Sequence, residues 1–110
     1  LAYEVQNGVW DFRYASTIAD DGTYALPTVT ANYPAHGFIH VTTTDEIVES
    51  AEFEYGSAGN VQIIRGTANV VVNADTDGKV CLGTAAAQNP LTVKNRLGGT
   101  RQVMINLRYA

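Results

Sequence analysis

The 110-residue sequence predicts an all-β protein: a single antiparallel β-sandwich, jelly-roll-like, of about eight strands and covering residues 1–110 as one domain. Three observations carry that prediction. Val, Ile, Thr, Tyr and Phe recur in short runs separated by Gly, Pro, Asn and Asp. Several runs alternate with a period of two. No helical pattern of roughly 10 to 15 residues lies between them, which excludes a parallel α/β fold.

The elements follow in order. Val9 to Ala15 sets Trp10, Phe12 and Tyr14 against Val9, Asp11, Arg13 and Ala15, so the aromatic side is expected to face the core. Asp20-Asp21-Gly22 supplies turn chemistry, Asp by accepting local backbone hydrogen bonds and Gly by tolerating positive φ. A short strand from Thr23 to Leu26 is stopped by Pro27, and the stretch to Pro34, without a period, reads as a loop. Gly37 to Thr44 alternates, with Phe38, His40, Thr42 and Thr44 opposite Ile39, Val41 and Thr43. In Ile47 to Tyr55, Glu52 and Glu54 face one way and Phe53 and Tyr55 the other, giving a half-buried strand with an acidic outer face.

Ser57-Ala58-Gly59-Asn60 is a turn. Val61 to Ile64 and Ala68 to Asn73 are two further strands, with Arg65-Gly66-Thr67 as a bulge or a tight connection. Asp75-Thr76-Asp77-Gly78 turns the chain into Lys79 to Gly83. Ala85 to Gln88 offers one helical turn, ended by Asn89-Pro90. Leu91 to Asn95 and Gln102 to Tyr109, joined by Arg96 to Arg101, read as a hairpin.

Seven basic and eleven acidic side chains give a net charge of −4, which opposes generic attraction to nucleic acid or an anionic membrane. The single cysteine, Cys81, has no partner for an internal disulfide, and no Cys/His set suggests zinc; it is expected to be a small apolar filler. No apolar run approaches the roughly 18 residues of a spanning helix, and no basic start followed by an apolar stretch reads as a signal peptide. The chain opens at Leu1, which leaves a processed product, a fragment or a portion of something longer all open. Sheet edges leave backbone groups unpaired, and self-association or attachment to a larger assembly satisfies them.

Several groups invite a chemical reading. Asn73, Asp75 and Asp77 precede Gly78 at the spacing that opens a calcium loop, but the closing twelfth position is Thr84, so an ordinary turn is expected and calcium is the alternative. His36 and His40 lie about 13 Å apart along a strand, too far to share one ion, so no metal is expected. Asp45, Glu46, Glu49, Glu52 and Glu54 contain a possible glycosidase pair in Glu52 and Glu54, about 7 Å apart, yet a flat strand lacks the asymmetry that splits two carboxyl pKa values. A solvated acidic face is expected. No nucleophile elbow or phosphate-cradling loop is present, so neither enzyme activity nor a cofactor is expected. Arg96, Arg101 and Arg108 fall near the last hairpin, where they either bind carboxylates of a neighbouring subunit or an acidic sugar, or keep the hairpin soluble. Tyr24, Tyr33 and Tyr55 lie near turns and are candidates for stacking on sugar rings.

Thr76-Asp77-Gly78-Lys79, a short strand, and then Leu91 to Arg101 with its Asn95-Arg96-Leu97-Gly98-Gly99 turn resemble small β-sandwich domains of bacteriophage virion proteins, found in tail fibres, spikes and head decorations. Ala15 to Pro27 is similar to the way such domains begin, and Gly37 to Val41 to their next strand. The resemblance implies a non-enzymatic domain on the virion exterior, often a homotrimer, that contacts other virion proteins and either reinforces the capsid or attaches to a host-surface glycan. It implies for Arg96 an intersubunit contact. The alternative is a carbohydrate-binding module of a secreted or cell-surface protein.

Overall fold

The computed structural model describes residues 2–6, 9–29, 34–44, 46–56 and 60–109; of residues 2–6, 9, 10 and 109 it describes the backbone. Ten strands are present among them: β1 (Ala2–Gln6), β2 (Val9–Ile18), β3 (Thr23–Ala25), β4 (Ala35–Thr43), β5 (Glu46–Tyr55), β6 (Val61–Gly66), β7 (Val70–Val72), β8 (Val80–Leu82), β9 (Thr92–Asn95) and β10 (Arg101–Tyr109). They form a six-stranded sheet in the order β1-β2-β10-β4-β5-β6 and a four-stranded sheet in the order β3-β9-β8-β7. Inward side chains of both sheets share one apolar cluster, so the fold is a β-sandwich.

The alternation decides which residues enter that cluster. Phe12 on β2, Ile39 and Val41 on β4, Phe53 and Tyr55 on β5, and Ile105 and Leu107 on β10 are all buried. Val80 and Leu82 on β8 and Val93 on β9 meet them from the opposite sheet. Each such side chain contributes about 1.5 to 3 kcal/mol relative to remaining exposed. Gly37 sits on the inner face of β4, where a Cβ would lie 2.5 Å from Leu107 Cδ2 and 3.0 Å from Phe53 Cζ. Glycine there lets two large side chains close over the strand. Tyr14 is half-buried, as the aromatic face of β2 requires, and the Trp10 side chain falls outside the described atoms.

Four expectations are corrected. First, β9 and β10 do not form a hairpin. β9 pairs with β3 and β8, whereas β10 pairs with β2 and β4, so residues 96–100 carry the chain from one sheet to the other. The corner is organised by Asn95, whose Nδ2 donates to the carbonyls of Ile18 (3.0 Å) and Gly99 (2.8 Å) while its Oδ1 accepts from Leu97 N (3.1 Å). Second, β7 and β8 are parallel. Strands of three residues are short enough for residues 73–79 to return along them, and that return passes over β8: Thr76 N donates to Cys81 Sγ at 3.4 Å. Cys81, pointing away from the core, is thereby fully buried.

Third, residues 84–88 form a turn without helix, with Ala87 at φ 60° and Gln88 bridging Thr84 and Thr92 through its side chain. Fourth, in the β2–β3 turn the positive φ belongs to Asp21 (60°), not Gly22. Gly22 is required by space instead, because a Cβ would lie 2.9 Å from the Ala19 carbonyl oxygen.

Two bulges reset side-chain direction. Val48 is the extra residue where Val41 opposes Glu49 and Thr42 opposes Ile47, and Ile64 is the extra residue where Phe53 opposes Ile63 and Glu52 opposes Arg65. The first turns Ile47 outward, 63% exposed, whereas Glu49, 8% exposed, lies on the inner side by the same alternation that buries Ala51, Phe53 and Tyr55. The bulge thus lies one residue before Arg65-Gly66-Thr67. The loop expected from Pro27 to Pro34 carries no strand at its described residues 27–29 and 34; its residues 30–33, and those of the turn expected over 57–60 apart from Asn60, fall outside the described residues.

Candidate functional site on the outer face of the six-stranded sheet

The two sheets differ in how their outer faces are finished. Residues 73–79 lie over β8 and β9, where Lys94 Nζ reaches Asp75 Oδ2 at 3.0 Å. On the six-stranded sheet, the outward residues of β4 (His36, Phe38, His40 and Thr42) remain part-exposed, and Phe38 is 42% exposed. The strand ladder fixes their neighbours in rows. Arg13, Asn106, Phe38, Glu52 and Arg65 make one row; Asp11, Arg108, His36 and Glu54 make the next; Ala15, Met104, His40 and Ser50 lie on the other side.

Within these rows the carboxylate of Glu52 is held from both sides: His36 Nε2 lies 2.7 Å from Oε2, and Arg65 Nε lies 2.8 Å from Oε1. Arg108 Nε donates to Asp11 Oδ1 at 3.2 Å. Among the described residues the Arg13 guanidinium makes one hydrogen bond, to Met104 Sδ at 3.5 Å, and Asn106 makes no side-chain hydrogen bond. The His36 and Phe38 rings are tilted against each other with centroids 5.5 Å apart. Two hollows open here. One, of about 530 Å³, is bordered by Asp11, Arg13, His36, Phe38, Asn106 and Arg108. The other, of about 550 Å³, is floored by Ala15 and Met104 and walled by His40, Thr42 and Ile47.

Of the residues singled out by sequence, His36, His40, Glu52 and Glu54 lie on this face, whereas of the singled-out tyrosines and arginines that are described only Arg108 borders one of the two hollows. Tyr55 is 1% exposed in the core and donates its hydroxyl to the Pro27 carbonyl, so its ring has no face for a sugar. Tyr24 stacks on Tyr14 with centroids 3.8 Å apart and planes 23° from parallel, closing the sandwich at β3. Tyr33 lies outside the described residues. The three arginines do not cluster, because the hairpin that would gather them does not exist. Arg96 sits at the sheet-switching corner, Arg101 at the start of β10 with its NH1 donating to the Thr100 carbonyl, and Arg108 near the far end of β10. Arg108 alone borders a hollow of the outer face described above.

Arg96 is bound within its own chain, to Asp21 Oδ1 at 3.2 Å, Asp75 Oδ1 at 3.0 Å and Asp77 Oδ1 at 3.6 Å. The Asp75 bond, then that of Asp21, raises its pKa further above the guanidinium value. Asp75 is held below the ordinary carboxylate range, first by the hydrogen bond from Lys94, against some desolvation, and then by Arg96. Those two cations occupy the carboxylates of the calcium alternative, and Asn73, at φ 56°, turns the backbone beside them. Among the described residues no group of three or more His, Cys, Asp or Glu is close enough to hold a metal ion.

The acidic face is also corrected. Glu46 and Glu54 are exposed, and Asp45 lies outside the described residues. Glu49 is buried, accepting from the Thr67 hydroxyl and from Asn69 Nδ2 (3.1 Å), while Lys79 Nζ donates to Asn69 Oδ1 (2.8 Å). This chain of bonds ties the β6–β7 connection to β5 and to the start of β8. Glu52, ion-paired as above, is 12% exposed. Sequence reasoning missed Phe38 as a surface aromatic. Its signal was present: Ile39 and Val41 claim the inner face, which turns Phe38 outward.

No protein-family model, curated protein or solved structure matches the chain.

Proposed function

We propose that this domain is a non-enzymatic structural element of a bacteriophage virion exterior, working by contact through the outer face of its six-stranded sheet, as a homotrimer and against other virion proteins. The observation that carries the reading is the unequal finish of the two sheets. The charged groups near the four-stranded sheet hold the chain's own corner together, while the six-stranded sheet leaves Phe38, Ile47 and Ile64 exposed, with Phe38 and Ile47 each bordering one of the two hollows. Exposed apolar groups within a polar surface are what a contact face requires. The resemblance of the Asn95 to Gly99 segment to virion-surface sandwiches supplies the setting.

In this reading the carboxylates have structural tasks. Glu49 ties β5 to the β6–β7 connection and Glu52 is clamped by His36 and Arg65. The test is multi-angle light scattering across a concentration series, followed by localisation of the tagged chain in intact particles by electron microscopy. A trimer that decorates the particle is the expected result. A monomer at every concentration, or a chain absent from particles, overturns the proposal.

A further inference from the structure

The geometry points to the hollow beside Phe38 as a binding site for a carboxylated pyranose, that is, an acidic sugar. This rests on reading the outer face as a contact surface and is independent of oligomer number. The sugar specificity follows from what borders the hollow. Phe38 offers a part-exposed ring to the apolar C–H face of a pyranose. Next to it Asn106 carries an amide with no side-chain hydrogen bond among the described residues, able to donate to one hydroxyl and accept from another.

The charge preference comes from two guanidinium groups. Arg13 opposes Asn106 in the ladder and Arg108 stands two residues further along β10, so the two are diagonal neighbours about 7 Å apart at their bases. Arg13 has no carboxylate partner among the described residues. Among the described residues Arg108 engages Asp11 through Nε alone, and its terminal amino groups can fork onto a second carboxylate. Among the described residues bordering the hollow, Asp11 balances one of the two guanidinium groups, while Glu52 is paired with His36 and Arg65 and Glu54 stands beyond His36 outside the lining, so this border carries one more cation than anion in a protein of net charge −4. One surplus cation suits one carboxylate; the overall charge repels polyanions. A space of about 530 Å³ admits one or two sugar rings.

The glycan contact thus moves from the tyrosines to β4 and β10. The test is a titration of ¹⁵N-labelled protein, followed by amide chemical shifts, with methyl glucuronoside and with methyl glucoside, which differ only in the carboxylate. Shifts at β4 and β10 amides around Phe38 and Asn106 are expected, with the glucuronoside bound about tenfold more tightly. Arg13→Gln is expected to abolish that preference, and Phe38→Ala to weaken both sugars about fivefold. Both side chains are on the surface, so thermal midpoints near wild type confirm folding. Equal affinity for the two sugars, shifts confined to other surfaces, no saturable shift at millimolar sugar, or tighter binding of inorganic phosphate at the same amides each overturns the site. A particle-borne trimer without sugar-dependent shifts removes the site and leaves the structural role standing. A monomer that binds the glucuronoside does the reverse.

Discussion

Replacing Asn95 with Ala removes the group on which the change of sheet depends. Its side chain is 1% exposed and makes three well-formed hydrogen bonds, to Ile18 O, Gly99 O and Leu97 N, with a longer fourth to Ala19 O at 3.4 Å. Truncation leaves two buried or part-buried carbonyls and one N–H without that partner. At about 1 kcal/mol for each of the shorter bonds, the loss is about 3 kcal/mol. With an unfolding entropy of about 2.1 cal/mol/K per residue over 110 residues, the melting midpoint falls by about 13 °C. Urea denaturation at fixed temperature and thermal melts followed by circular dichroism measure both figures. Asn106→Ala is the control, because that amide has no side-chain hydrogen bond among the described residues; a change within about 0.5 kcal/mol is expected. An Asn95→Ala loss below about 1 kcal/mol, equal to the control, refutes the argument that this side chain holds the corner.

Two further outcomes follow from packing and charge. Gly37→Ala places a Cβ 2.5 Å from Leu107 Cδ2 and 2.9 Å from the Asn106 carbonyl oxygen, so it is expected to destabilise by about 1 to 3 kcal/mol in the same urea assay; a neutral result would show that the sheets separate easily there. Asp75 has a folded pKa below its ordinary value of 3.8, so its contribution is present above that value and is lost as pH falls through the lower, folded value. The melting difference between wild type and Asp75→Asn is therefore expected to hold steady through neutral pH and to close in acid, and a difference unchanged down to about pH 2 would contradict the pairing with Lys94 and Arg96.

The N-terminal strand shows how a legible signal is passed over. Tyr3 and Val5 alternate with Glu4 and Gln6 ahead of Asn7-Gly8, a dipeptide characteristic of two-residue hairpin loops, and Gln6 pairs with Val9 across it. Reading the strands from Val9 onward therefore missed β1. The candidate site was half legible. The alternation about Ile39 and Val41 sets Phe38 and His36 on the outer face, but that Arg13 and Asn106 stand beside them depends on β10 lying between β2 and β4, a pairing between residues some 90 positions apart for Arg13 and Asn106.

A strand's inner face is written locally, because the pleat sends successive side chains to opposite sides whatever the strand pairs with; Phe12, Ile39, Phe53 and Ile105 were readable on that basis. Partnership is not local. The Asn95 to Arg101 stretch carries the glycines of a hairpin, yet the same turn residues serve a crossing between sheets, and only the competition of β2 and β4 for the edges of β10 chooses between them. The bulges at Val48 and Ile64 belong to the same class: each is a mismatch between two strands, so the outward turn of Ile47 does not exist until β5 has its neighbours, whereas Glu49 shares the inner face with Phe53 and Tyr55 by alternation.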